Sequence, residues 1–108
     1  MVLGYYYNNY DTFYFKYFDL KKWFDFNQTV YDTGEYVSKK EMYLECAKRL
    51  KIKIEDGVVF EDSPKSIKKA IEAGAKKVVA IKRNDTPTLK EIKQVIKDYI
   101  ELDFSIFD

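Results

Sequence analysis

Near the middle of the chain an apolar run, Val58-Val59-Phe60, ends in two adjacent carboxylates, Glu61 and Asp62, followed by Ser63 and Pro64. Neighbouring acids repel each other, and the first basic residue after them is Lys65. A divalent cation removes that repulsion. Hard carboxylate oxygens on a rigid support suit Mg²⁺, which keeps several waters and bridges to phosphate. A plainer role competes, because acids at a helix start interact favourably with its dipole. Upstream, Ser38-Lys39-Lys40 sets two cations at an expected helix start, where their plainer role is solvation.

Composition excludes several other chemistries. The chain has 108 residues and no histidine, which removes His-based triads and zinc sites that use His. Cys46 is the single cysteine, so no internal disulfide can form and a reducing interior, the cytoplasm, is the expected home. Nineteen basic residues against 18 acidic ones give a net charge of +1, without the basic excess of a nucleic-acid or membrane-surface binder. No apolar run approaches the roughly 20 residues of a membrane span. The start, MVLGYYYNNYD, lacks the basic region and cleavage site of a signal peptide. Hydrophobic content of 46%, with 18% aromatic, suffices for the core of one small domain covering residues 1–108.

The elements that must position these groups follow from periodicity and caps. Residues 2–7 favour a strand, Asn8, Asn9 and Asp11 offer turn chemistry, and residues 12–18 suit a short aromatic helix. A short strand is expected at 26–31, closed by Asp32-Thr33-Gly34. Ser38 and Glu41 have capping-box spacing, and Met42, Tyr43, Cys46, Ala47 and Leu50 share the helical face that follows. Cys46 therefore reads as a small buried hydrophobe. Residues 58–60 form a strand buried on both faces. Ser63 caps the next helix, Pro64 occupies its first turn, Ile67, Ala70 and Ile71 point inward, and Gly74 ends it in a left-handed conformation. Residues 78–81 make another buried strand. Thr88 and Glu91 have the spacing of a further capping box, which predicts a helix over 88–95, and residues 99–102 make an edge strand.

Alternating strands and helices with continuous apolar strands mean an α/β, Rossmann-like parallel sheet with helices on both faces. Ligands bind such sheets beyond the carboxyl ends of the strands, where Glu61 and Asp62 fall.

The run VVFEDSPKSIKKAIEAGAKKVVAI resembles the last motif of the haloacid-dehalogenase-like (HAD) hydrolase superfamily, in which a strand ending in two acids binds Mg²⁺. It is similar to the phosphoglycolate phosphatase and β-phosphoglucomutase branch, and SKKEMYLECAKRL is similar to the helix that carries the superfamily's phosphate-facing lysine. The resemblance covers only the C-terminal part of such an enzyme. It implies Asp62 as the direct metal ligand, Glu61 as a second or water-mediated one, and Ser63 as a hydrogen-bonding residue of the same loop. For the lysine two registers compete: one branch's pattern falls on Val37, which cannot serve, and that of the magnesium-dependent phosphatases on Lys39, with Lys40 as the fallback.

The departures are as informative. The superfamily's nucleophile and acid/base sit in a D-x-D motif ending a first, central strand, and this motif is missing where it is required. Asn9-Tyr10-Asp11-Thr12 has Asn in place of the nucleophile, and Asp25-Phe26-Asn27-Gln28-Thr29 lacks the second carboxylate. Residues 7–9 stand where a phosphate-gripping Ser or Thr belongs; the Asn8 amide could donate to phosphate, although capping is its plainer role. Without the central strand the sheet is incomplete. The strands at 2–7 and 58–60 would then pair directly, or a second copy of the chain or an N-terminal segment would complete the sheet. Two functions remain. The chain is the C-terminal part of a Mg²⁺-dependent phosphatase acting on a phosphorylated small molecule and inactive alone, or a catalytically silent module that binds a protein partner or a phosphorylated ligand.

Overall fold

A computed structural model describes residues 36–108 together with Lys22 and Val30. The expected elements at 2–7 and 12–18, the turn at 32–34 and, Val30 apart, the strand at 26–31 lie outside the described residues. The chain divides into two compact units, Met1–Ile52 and Lys53–Asp108.

In the first unit, helix α1 spans Lys39–Leu50. Its buried stripe is Met42, Tyr43, Cys46 and Ala47, as the spacing requires. Val30, Met42 and Cys46 form a core cluster with Tyr36 and Leu50 packed against it. The capping box is not made. Glu41 reaches back to accept from the Val37 N–H at 2.7 Å, but the Ser38 side chain makes no cap. At the other end Lys51 takes the left-handed conformation (φ 59°), its N–H donating to Lys48 O and the Ile52 N–H to Ala47 O.

The second unit is a three-stranded parallel sheet in the order β1-β2-β3, with β1 at Val59–Glu61, β2 at Val78–Ile81 and β3 at Ile92–Ile96. Helix α2, Pro64–Glu72, connects β1 to β2 and packs on β1. Ser63 caps it by accepting from the Ser66 N–H at 3.1 Å. Its end closes in a Schellman motif: the Gly74 N–H donates to Ile71 O at 2.9 Å and the Ala75 N–H to Ala70 O at 3.0 Å, with Gly74 at φ 111°. The register sets Val59 opposite Val78 and Glu61 opposite Ala80. Strand alternation therefore sends Phe60, Val79 and Ile81 to one face, where Ile96 of β3 lies beside them and Leu102 and Ile106 pack against them. Val59 is buried but Phe60 only half-buried, so β1 is less completely covered than its apolar run predicts, and it begins and ends one residue later than 58–60.

Two expectations fail. Residues 88–95 are not a helix: 92–96 form β3, paired in parallel with β2. Ile92, Val95 and Ile96 mimic a helical stripe, yet Val95 is 49% exposed while Ile96 is 3% exposed, as neighbours on a strand can be. Pairing with β2 gives its backbone a ladder of hydrogen bonds, which outweighs the capping signal of Thr88 and Glu91. Lys93 is the extra residue of a bulge between Ile92 and Gln94, which face Val78 and Val79 in turn. Nor are residues 99–102 a strand. Tyr99–Glu101 is a 3₁₀ turn because Asp98 accepts from the Ile100 N–H, and a second turn, Phe104–Phe107, is capped in the same way by Asp103. Among the described residues no helix is long and apolar enough to cross a membrane.

Candidate functional site

The paired acids stand where a parallel sheet presents its ligands. Glu61 is the last residue of β1 and half-buried, and Asp62 is the first residue beyond it and exposed. Strand alternation puts Glu61 on the same face as Val59, while Asp62 has already left the ladder. Ser63 follows at once, its hydroxyl oxygen engaged by Ser66 and its hydroxyl proton left for donation. Because Pro64 has no N–H and that of Ser66 is bound to Ser63, the first turn of α2 offers little more to an anion than the Lys65 amide.

The donor set discriminates between metals. Among the described residues no group of three or more His, Cys, Asp or Glu side chains could hold an ion. Two carboxylates are too few for the oxygen cage of Ca²⁺ and of the wrong type for a structural Zn²⁺. They fit Mg²⁺, which takes one or two carboxylates and fills its octahedron with water and phosphate oxygens.

The other candidates belong to the first unit or lie outside the described residues. Lys39 is the first residue of α1, in the first unit, and its Nζ lies 5.8 Å from the centre of the buried Tyr43 ring, a cation–π distance that steadies the ammonium. Lys40, the fallback, is half-buried beside it in sequence. Asn8 and both imitations of the D-x-D motif lie outside the described residues. The structure therefore brings together Glu61, Asp62 and Ser63.

At the carboxyl end of the neighbouring strand β2 stands a turn that was not singled out from the sequence. The Arg83 N–H donates to Thr86 Oγ1 at 2.7 Å, and that hydroxyl donates to Arg83 O at 2.9 Å. Asn84-Asp85-Thr86-Pro87 carries the signal for it, since Asx and Thr side chains close such turns on their own backbone.

This chain superposes on the crystal structure of a HAD hydrolase, family IA, variant 3, from Entamoeba histolytica HM-1:IMSS, with a TM-score of 0.83 and 21% sequence identity. The chain has a HAD-like fold. The superposition covers 98% of this chain and 50% of that one, so the chain spans about half the length of the structure it matches. No protein-family model matches the sequence, and neither does any curated protein. In the HAD-like fold the parallel order of β1, β2 and β3 holds Glu61 and Asp62 at a strand's carboxyl end, as the resemblance of the final motif implies.

Proposed function

We propose that this chain supplies the metal-holding corner of a HAD-like, Mg²⁺-dependent phosphoryl-transfer hydrolase and does not turn over substrate by itself. The observation that carries the reading is the acid pair at the carboxyl end of β1 in a HAD-like fold. Glu61 and Asp62 would hold the ion, which when bound supplies charge neutralisation for a transferring phosphoryl group. Ser63 would donate its hydroxyl proton to a phosphate oxygen while its oxygen keeps the start of α2 in place. Lys39 would add a fixed positive charge, and the Asn8 amide a further donor. No D-x-D motif occurs in this sequence, so on this reading the aspartate nucleophile is supplied by a further segment or a second chain. The substrate class is a phosphorylated small molecule.

Calorimetric titration with Mg²⁺, paired with a p-nitrophenyl phosphate assay, tests this. The wild-type chain should take up the ion, Asp62→Asn should lose uptake at an unchanged urea midpoint, and neither should hydrolyse the ester. A folded wild-type sample that binds no Mg²⁺ overturns the reading. Turnover abolished by Asp62→Ala would place the nucleophile within these 108 residues. The lack of a D-x-D motif also favours a second reading, a silent module that binds a protein partner or a phosphorylated ligand. Adding in trans a segment that bears such a motif separates the two, because only the first gains activity.

A further inference from the structure

We propose that Arg83 is a specificity-determining residue of the same site, gripping a second anionic group on the phosphorylated ligand; this rests on the metal-corner reading above. Parallel pairing brings the carboxyl ends of β1 and β2 to one edge of the sheet, with Glu61 opposite Ala80. The Lys82 N–H still donates to Ile96 O at 2.7 Å, so the chain beyond β2 is held in line. Arg83 is three residues past Ala80, so with strands ~4.8 Å apart and a rise of ~3.3 Å per residue its backbone is on the order of 11 Å from that of Glu61. A metal-bound phosphate and an arginine side chain together span that gap.

The local structure presents the guanidinium rather than leaving it to wander. Thr86 fastens the turn through both its hydroxyl bonds to Arg83, and its own N–H adds a third to Arg83 O at 3.3 Å. Asp85 then pairs side-on with the guanidinium, at 3.2 Å to Nε and 3.4 Å to Nη2, with both side chains about half exposed. Side-on pairing occupies one edge of the planar fork and leaves the other for a second anion. Lys82, exposed next to it, adds a second positive charge. A basic lip thus adjoins an acidic one that would hold a cation, and a ligand with two anionic groups satisfies both. Inert surface pairs of this kind are common, so the experiment must separate recognition from decoration.

Methylphosphonate and methylenediphosphonate, which carry one and two anionic groups, serve as non-hydrolysable probes in calorimetric titrations with and without Mg²⁺. Wild type should prefer the diphosphonate. Arg83→Ala should weaken diphosphonate binding about tenfold or more, as loss of a charge-assisted pair does, and methylphosphonate binding less than twofold. Arg83→Lys, which keeps the charge without the fork, should recover only part of the preference. A preference unchanged in Arg83→Ala, or both probes weakened equally, overturns the assignment. Mg²⁺ uptake without any diphosphonate preference sinks Arg83 alone. An Arg83-dependent preference without Mg²⁺ uptake sinks the metal corner and leaves Arg83 as an anion site.

Discussion

Gln94 and Asp103 exchange two hydrogen bonds: Gln94 Nε2 donates to Asp103 O at 3.0 Å, and the Asp103 N–H donates to Gln94 Oε1 at 3.0 Å. The amide of one side chain reads the backbone of the C-terminal segment as a neighbouring strand would. Together with Lys77 Nζ, which donates to Ile106 O at 3.0 Å, it holds Leu102 and Ile106 over the sheet face that carries Val79. Gln94→Ala should lower stability by about 1 kcal/mol, since the two bonds are exposed to solvent. Gln94→Glu should cost at least as much, because a carboxylate cannot donate to Asp103 O. Urea midpoints and faster amide exchange over residues 103–106 would report it; unchanged exchange would show that the pair holds nothing down.

Gly74 and Lys51 occupy equivalent left-handed positions after α2 and α1, at φ 111° and 59°. Their substitutions should have opposite signs. A Cβ at Gly74 would meet Ile54 Cγ2 at 3.1 Å besides straining the backbone, so Gly74→Ala should destabilise by about 1–2 kcal/mol. Lys51→Gly relieves about 1 kcal/mol of strain and returns part of it as unfolded-chain entropy, for a net gain of about 0.5 kcal/mol. Thermal melts of the two variants test this, and a loss in Lys51→Gly would mean that the lysine side chain contributes more than its conformation costs.

Legibility in the sequence followed the strength of local signals. Ser63, Pro64 and Gly74 punctuate α2 with three independent cues, and the structure honours all of them. The buried strand β2 stands at its expected bounds because Val78-Val79-Ala80-Ile81 is too short and too apolar for anything but a sheet interior. Residues 88–95 carry the capping signal of Thr88 and Glu91, which is local and fits a helix, yet 92–96 form a strand. Only β2, which lies elsewhere in the sequence, decides between them. The same holds for residues 99–107, where Asp98 and Asp103 impose 3₁₀ turns that no hydrophobic period announces.

The position of the acid pair was legible for a similar reason: the three residues are consecutive, so placing one strand places Glu61, Asp62 and Ser63 together. The turn at Arg83 was not, because its place at the same end of the sheet as Glu61 follows from the parallel register of β1 and β2 and from no spacing along the chain.

Asp103 supplies an acid-side prediction. Hydrogen bonds from the Ser105 N–H, at 2.9 Å, and from its hydroxyl hold the exposed carboxyl below its ordinary value. A depressed carboxylate contributes stability that is complete above its unfolded value of about 3.9 and disappears as pH falls through the lower folded value. Urea midpoints of the wild type should therefore fall more steeply below pH 4 than those of Asp103→Asn, which does not titrate there. Parallel curves for the two proteins would show that the cap does not couple to protonation.

Cys46 governs the alkaline side. It is fully buried in the α1 cluster, and burial pushes its thiol above the ordinary value. The thiolate is the reactive form, so a disulfide reagent at pH 8 should label the native protein at least about a hundredfold more slowly than the urea-unfolded chain, at a rate set by opening of the helix. The linkage has a fixed sign. A group whose folded value is raised contributes stability that is complete below the unfolded value of about 8.5 and is lost as pH climbs through the folded one, because the unfolded thiol ionises first. Wild type should thus lose stability between pH 8.5 and 10 relative to Cys46→Ala, which has no proton to give up there. Rapid native labelling, or identical alkaline curves, would mean that the α1 face opens to water and that Cys46 is a surface thiol in solution.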